Sequence, residues 1–263
     1  MNSSPRPVAL VTGASVGIGA ALAREFARNG HDLVLVARRT DALARLAEEL
    51  SAEGAAATVI PADLSRPGAA ATLAHEIGSR GITIDVLVNN AGLGGAGRLD
   101  RVETRRIGEM LQVNIVALTE LTRLILPGMI ARGRGKIMLV ASIAGFSPGP
   151  HMAVYFASKA FVLSLGEALA YELGGTGVGV TVLCPGATDT EFFTVAGSAG
   201  TAMGRHLRRM MSAEDVAKRG YRGLIAGRKV VVTGILNKLL AASGRYLPRP
   251  IVLPIATMMM SED

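Results

Sequence analysis

Val8-Ala9-Leu10-Val11-Thr12-Gly13-Ala14-Ser15-Val16-Gly17-Ile18-Gly19 begins as an unbroken apolar run, passes through three glycines, and ends where a helical pattern starts. An apolar run without polar alternation is the mark of a strand covered on both faces of a sheet. The glycines allow a tight turn, let the backbone approach a pyrophosphate closely, and let the next helix pack against the strand. The helix N-terminus then turns its positive dipole end toward the phosphate. Gly13, Ser15, Val16, Gly17, Ile18 and Gly19 are therefore candidate contacts for a dinucleotide. No Gly-Lys-Ser/Thr is present, which argues against an NTPase phosphate loop.

The same alternation of short β-rich runs and longer helical patterns continues along the chain. Strands are predicted at Val8 to Val11, Leu33 to Val36, Ala57 to Ile60, Val86 to Val88, Lys136 to Ala141, Gly179 to Leu183 and Lys229 to Val232. Helical patterns fall at 18–30, 41–53, 68–79, 103–132, 153–173 and 213–226. This is the order of a doubly wound α/β fold: a mostly parallel seven-stranded sheet with helices on both faces, in a single domain spanning 1–263. Ser212 with Asp215 reads as a capping box, and Gly174 with Gly175 closes the helix before them. In the pattern over 103–132, Pro127 is expected to kink or end the helix. That segment carries Leu111, Val113, Ile115, Leu118, Leu121, Leu124, Ile125 and Met129 around every face, which predicts cover by a second subunit in a homodimer or homotetramer.

Composition narrows the function. With 263 residues, 49% of them hydrophobic, the chain can bury a large core. Its single cysteine, Cys184, excludes an internal disulfide and reads as a buried thiol in a reducing compartment, so the cytoplasm is expected. Met1 to Pro7 is polar and lacks the apolar core of a signal peptide. The uncharged stretch Ile137 to Ser158 is broken by Gly145, Pro148, Gly149 and Pro150, so it reads as strand plus loop and no transmembrane segment is predicted. The net charge of +7 comes mainly from scattered arginines, and only 4% of residues are aromatic with no Trp, a poor footprint for nucleic acid. The basic balance suits either a phosphate-bearing ligand or a solvated surface. No metal site is read.

Two further features carry chemistry. After the second strand stands Ala37-Arg38-Arg39, where an NAD-selective site would place a carboxylate against the ribose hydroxyls; two guanidiniums there would pair with the 2′-phosphate of NADP. Tyr155 and Lys159 lie four apart on a predicted helix, hence on one face, one turn above the other. A fixed ammonium beside the phenol would favour the phenolate and make Tyr155 a usable acid. Bringing a phenol from a pKa of about 10 to near neutrality takes roughly 4 kcal/mol.

Gly13-x-x-x-Gly17-x-Gly19, Asp63-Leu64, Asn89-Asn90-Ala91-Gly92, Asn114, Ser142, Tyr155-x-x-x-Lys159 and Pro185-Gly186 together resemble the motif set of the short-chain dehydrogenase/reductase family, over roughly residues 8–232. The resemblance implies that Asp63 bonds the adenine with the Leu64 backbone beside it, and that Asn90, Ala91 and Gly92 run under the adenosine ribose. It makes Asn89 structural, tying neighbouring strands. Lys159 would grip the nicotinamide ribose and tune Tyr155, the proton donor; Ser142 would steer the carbonyl oxygen; and Asn114 would hold a water that returns the proton through Lys159. Pro185, Gly186, Thr188 and Thr190 would seat the carboxamide. Val16 stands where NADP-preferring relatives often carry Lys or Arg, so phosphate selectivity would rest on Arg38 and Arg39.

The expected substrate walls are Leu93 to Arg98, Ile143 to His151 and a lid over 187–211, whose Phe192, Phe193, Met203, Leu207, Met210 and Met211 suit an apolar substrate. His151 reads as a loop histidine at the rim, with substrate contact as the alternative. The apolar extension over 235–263 is broken by Pro248, Pro250 and Pro254 and is expected over the substrate mouth or in an oligomer contact, with peripheral membrane contact the alternative. The resulting expectation is an NADPH-dependent reductase of a small-molecule ketone. A 3-oxoacyl-thioester reductase is the first rival and a non-catalytic NADP sensor or scaffold the second.

Overall fold

The computed structural model describes residues 6–188 and 211–260. Seven strands form one sheet: β1 (Val8–Thr12), β2 (Asp32–Ala37), β3 (Ala57–Pro61), β4 (Val86–Asn89), β5 (Gly135–Val140), β6 (Val178–Cys184) and β7 (Val230–Val232). They pair in the order β3-β2-β1-β4-β5-β6-β7 and every pairing is parallel. The predicted fold and all seven predicted strands are present, their ends displaced by at most one residue.

Strand alternation divides the interior into two layers. Ala9 and Val11 enter a core with α1 (Gly17–Arg28), α2 (Thr40–Ala52) and α7 (Ala213–Ile225). Leu10 enters the opposite core with α3 (Ala69–Ser79), α5 (Leu118–Ala131) and α6 (Ala153–Glu172). Both faces of β1 are thus dry, which is why its sequence is continuously apolar; each fully buried leucine contributes about 1.5–3 kcal/mol. β1 pairs with β2 on one side and β4 on the other, so chain order reverses there and a crevice opens at the carboxyl ends of these strands.

The helix signals are met at α7, where the Ser212 hydroxyl accepts from the Asp215 amide at 3.1 Å. After α6 the chain turns at Gly174 and Gly175, the latter at φ 83°. The 103–132 pattern needs correction. Pro127 lies inside α5 without ending it. The irregularity is instead a π-helical turn, Gln112–Ala117, between α4 (Thr104–Leu111) and α5. The wider turn holds buried Asn114 at its centre, and such bulges recur where a side chain is re-aimed for function.

The runs 104–131 and 153–172 are long and apolar enough, by length and composition, to cross a membrane. Here they are sheet-packing helices: Leu121, Met129 and Val162 are fully buried. Leu111, Val116, Leu124 and Ile130 remain exposed on the outer side of α4 and α5. Beyond β7 the chain forms α8 (Ile235–Tyr246) and α9 (Arg249–Met260), with Pro254 inside α9.

Candidate active site

The crevice at the β1–β4 switch begins with a backbone cradle. Gly13 adopts φ 67°, a left-handed conformation that suits glycine. A Cβ on Gly19 would run into the Gly13 carbonyl and the Asn90 side chain, so α1 can start this close to β1 only with glycine there. Asn90 braces the same turn: its Nδ2 donates to the carbonyls of Thr12 at 2.9 Å and Gly13 at 3.2 Å. Thr12 Oγ1 accepts from the amides of Asn90 and Ala91, both at 3.0 Å. The strand-tying role expected of Asn89 therefore belongs to Asn90. Asn89 is buried and donates to Thr122 of α5 at 2.8 Å, joining strand to helix.

Arg38 and Arg39 stand at the end of β2 and line the crevice with Asp63, Leu64 and Ser65. Asp63 Oδ1 accepts from the Ser65 hydroxyl at 2.7 Å and its amide at 3.1 Å, while Oδ2 lies 3.5 Å from Arg66. The Ser65 hydrogen bonds, with the nearby Arg38 and Arg66 charges, hold the carboxyl below the usual range and keep it an acceptor.

At the far end, Ser142 follows β5 and caps a 3₁₀ turn, Ile143–Phe146, accepting from the Ala144 amide at 3.1 Å. Its side chain also hydrogen-bonds Tyr155. Tyr155 and Lys159 lie on one face of α6, both buried. The expected acidification is not what the pair displays. Lys159 Nζ sits 5.9 Å from the centre of the Tyr155 ring and donates to the Val140 carbonyl at 2.9 Å. Burial pushes the phenol up to about 12, against the opposing pull of the Ser142 hydrogen bond, and pushes the Lys159 amine down to about 8. Removal from water penalises the charged form of each group, and this is the largest cause of both shifts.

Asn114 is tied on three sides. Oδ1 accepts from the Leu93 amide at 2.8 Å, and Nδ2 donates to the Leu93 carbonyl and to Ser158 Oγ, both at 2.9 Å. Ser158 Oγ donates in turn to the Tyr155 carbonyl at 2.7 Å. This chain of bonds fixes the first turn of α6, and so Tyr155, against the loop after β4. Gly92 leaves the floor open: a Cβ there would lie 3.3 Å from Lys159 Nζ and 3.5 Å from Asn114 Oδ1.

One cavity of about 540 Å³ connects the glycine cradle, Arg38, Arg39, Asp63, Ser142, Tyr155 and Lys159, with Pro185, Gly186 and Thr188 after β6 on its wall; buried Asn114 lies behind the lining. Thr188 Oγ1 donates to the Gly186 carbonyl at 3.0 Å, and Gly186 packs so closely on Asn237 of α8 that a Cβ would meet its side chain. Thr190 and the lid segment 189–210 lie outside the described residues. His151 is not among the cavity-lining residues; at φ 63° its carbonyl accepts from the Gly97 amide at 2.7 Å, holding the loop. Ser65, Leu240, Ser243, Gly244 and Leu247 line the cavity and were not singled out from the sequence. Ser243, Gly244 and Leu247 stand three, four and seven residues from Leu240, along and just past α8, a helix-face pattern that could have indicated them.

Arg38, Arg39, Asp63 and Lys159 are the only charged residues among the described lining. A glycine cradle, two guanidiniums at one end and a hydroxyl pair with a lysine at the other suit an extended, anionic dinucleotide.

Comparison with known proteins identifies the family. The chain matches the short chain dehydrogenase family over residues 7–199. It is 37% identical over 186 residues to the ketoacyl reductase HetN of a Nostoc species, a match spanning 71% of this chain and 65% of that protein. A short-chain dehydrogenase from Sphingobium yanoikuyae in complex with NADPH superimposes with a TM-score of 0.81 at 34% identity, covering 90% of this chain and 92% of that one. A short chain dehydrogenase/reductase from Burkholderia phymatum in complex with NAD has a TM-score of 0.81 at 29% identity, covering 92% and 94%.

Proposed function

The chain belongs to the short-chain dehydrogenase family, and from that premise we propose that it is an NADPH-dependent reductase of bulky, uncharged ketones. The observation that carries the reading is the Ser142–Tyr155 hydrogen bond at the junction of the dinucleotide cradle and an apolar chamber. NADPH, when bound, supplies the hydride. Arg38 and Arg39 favour the 2′-phosphate; since the compared structures hold NADPH in one case and NAD in the other, the choice of NADPH rests on these two side chains.

Ser142 Oγ and Tyr155 Oη receive the carbonyl oxygen, and the Tyr155 proton passes to that oxygen as negative charge builds on it. Burial keeps the phenol protonated at neutral pH, which is the form reduction requires. A developing alkoxide is a stronger base than a phenolate, so the transfer runs downhill. A water anchored on Asn114, whose Oδ1 retains a second lone pair beside its bond to Leu93, refills the proton on Tyr155 through Lys159.

The substrate end is walled by Leu93, Met152, Phe156, Leu240, Leu247 and Val252, with Ser147 and Ser243 its hydroxyls. Among the described lining residues this end offers no charged group beyond Lys159 to pair with a carboxylate or phosphate, which favours neutral, lipid-like ketones. In this reading α8 and α9 close the mouth, and the exposed apolar face of α4–α5 joins copies into a homodimer or homotetramer. The single buried thiol, Cys184, suits the cytoplasm.

A panel of neutral ketones assayed by NADPH absorbance tests the assignment. Tight NADPH binding without turnover of any ketone would favour a sensor instead. The name of the HetN relative favours a second reading, a 3-oxoacyl-thioester reductase; a higher kcat/KM on 3-oxoacyl thioesters than on bulky ketones would select it.

A further inference from the structure

Helices α8 and α9 line the cavity with one face and turn a second apolar face to the outside. On α8, Leu240, Ser243 and Gly244 face the cavity. Ile235, Leu236, Leu239 and Tyr246 are 80%, 69%, 64% and 79% exposed. With 3.6 residues per turn, Ile235, Leu239 and Tyr246 fall within ~40° of one another, and exposed Leu236 lies about 100° from Ile235, at the border with the cavity face. Lys238 and Arg245 run along one edge, both exposed. On α9, Val252 and Ala256 face the cavity while Ile251 and Met258 point outward, and exposed Arg249 stands at its start. From Ile235 to Met260 the sequence holds three basic residues and no Asp or Glu.

We propose that the outer face of α8 and α9 docks on an anionic lipid membrane, setting the cavity mouth against the bilayer so that a lipid-dissolved ketone enters directly. Route and substrate rest on the reductase reading; the docking itself does not. An outward apolar stripe edged by cations is the pattern of a helix lying in a lipid interface, where the side chains enter the acyl boundary and the cations meet anionic headgroups. A second copy of the chain is a poorer occupant. A twofold contact would set this segment against itself, bringing Lys238, Arg245 and Arg249 toward their own counterparts with no carboxylate in the segment to separate them. Arg245 has Glu167 of α6 at 3.5 Å, but that acid belongs to its own subunit's rim.

The test is sedimentation of the full chain with vesicles of phosphatidylcholine alone or mixed equally with phosphatidylglycerol. The chain should pellet with the anionic vesicles and at least about tenfold less with the neutral ones, and high salt should release it. Leu236→Gln with Leu239→Gln should cut anionic-vesicle binding about tenfold while reduction of a water-soluble ketone stays at the wild-type rate. Lys238→Gln with Arg249→Gln should remove the preference for phosphatidylglycerol. Wild-type protein left in the supernatant with anionic vesicles overturns the proposal, as does a glutamine pair that pellets like wild type. A glutamine pair that shrinks the particle in light scattering, with no vesicle binding by wild type, assigns the face to a second copy. Vesicle binding with no ketone turnover strikes the reductase reading alone.

Discussion

Lys159 Nζ lies 5.9 Å from the centre of the Tyr155 ring and spends a hydrogen bond on the Val140 carbonyl. The two side chains share a helix face, as their spacing requires, yet the lysine braces β5 and the cavity floor while Ser142 holds the phenol. Reduction asks for a protonated donor, and the buried phenol is one across the whole physiological range.

Tyr155→Phe removes that proton and little else. The ketone reduction rate should fall about 10²–10⁴-fold, with NADPH affinity within about twofold of wild type by fluorescence titration. A variant that keeps its rate would rule out Tyr155 as the acid.

The pH profile should follow Lys159. Its amine, lowered to about 8 by burial, is charged below that pH and neutral above it. The reductive rate should therefore be level below pH 8 and decline as pH rises through it, because the proton return and the grip on the ribose both need the ammonium. Lys159→Met should abolish the decline along with most of the activity. A wild-type profile flat to pH 10 would contradict the assignment.

Arg38→Asp combined with Arg39→Ala should exchange two cations for one carboxylate at the end of β2. Each charge-assisted bond to a phosphate contributes about 1.5–3 kcal/mol, so the NADPH to NADH ratio of kcat/KM should drop at least about tenfold. An unchanged ratio in stopped assays with both cofactors would place phosphate recognition elsewhere.

Gly19→Ala introduces a Cβ against the Gly13 carbonyl and the Asn90 amide. One of these is backbone and cannot swing aside, so overpacking of about 1–3 kcal/mol is expected as a lowered Tm, with weaker NADPH binding. Wild-type stability and affinity would mean that α1 has room to move.

Leu124→Arg with Ile130→Glu places charges on the exposed face of α5. If that face joins subunits, light scattering should report a smaller particle at unchanged secondary structure.

The fold was legible because burial leaves a local record. β1, buried on both faces, had to be continuously apolar, and the turn after it had to carry glycine where Cβ has no space. The Ser212 cap and the one-face pairing of Tyr155 with Lys159 are likewise settled by neighbours three or four residues away. Pro127 misled because its position invites a helix end, whereas packing of α5 on the sheet keeps the helix intact and moves the irregularity to Asn114.

By itself, the chain's order of residues determined the sheet, the glycine turn after β1 and the shared helix face of Tyr155 and Lys159, since each depends on local spacing and on which positions must stay dry. Only the tertiary structure decided that Lys159 bonds to Val140, that Asn90 rather than Asn89 ties β1 to β4, and which residues of α8 and α9 reach the cavity. The reason is that a buried group's partner and its charge are set by whatever surrounds it in space, and those surroundings come from residues far away along the chain.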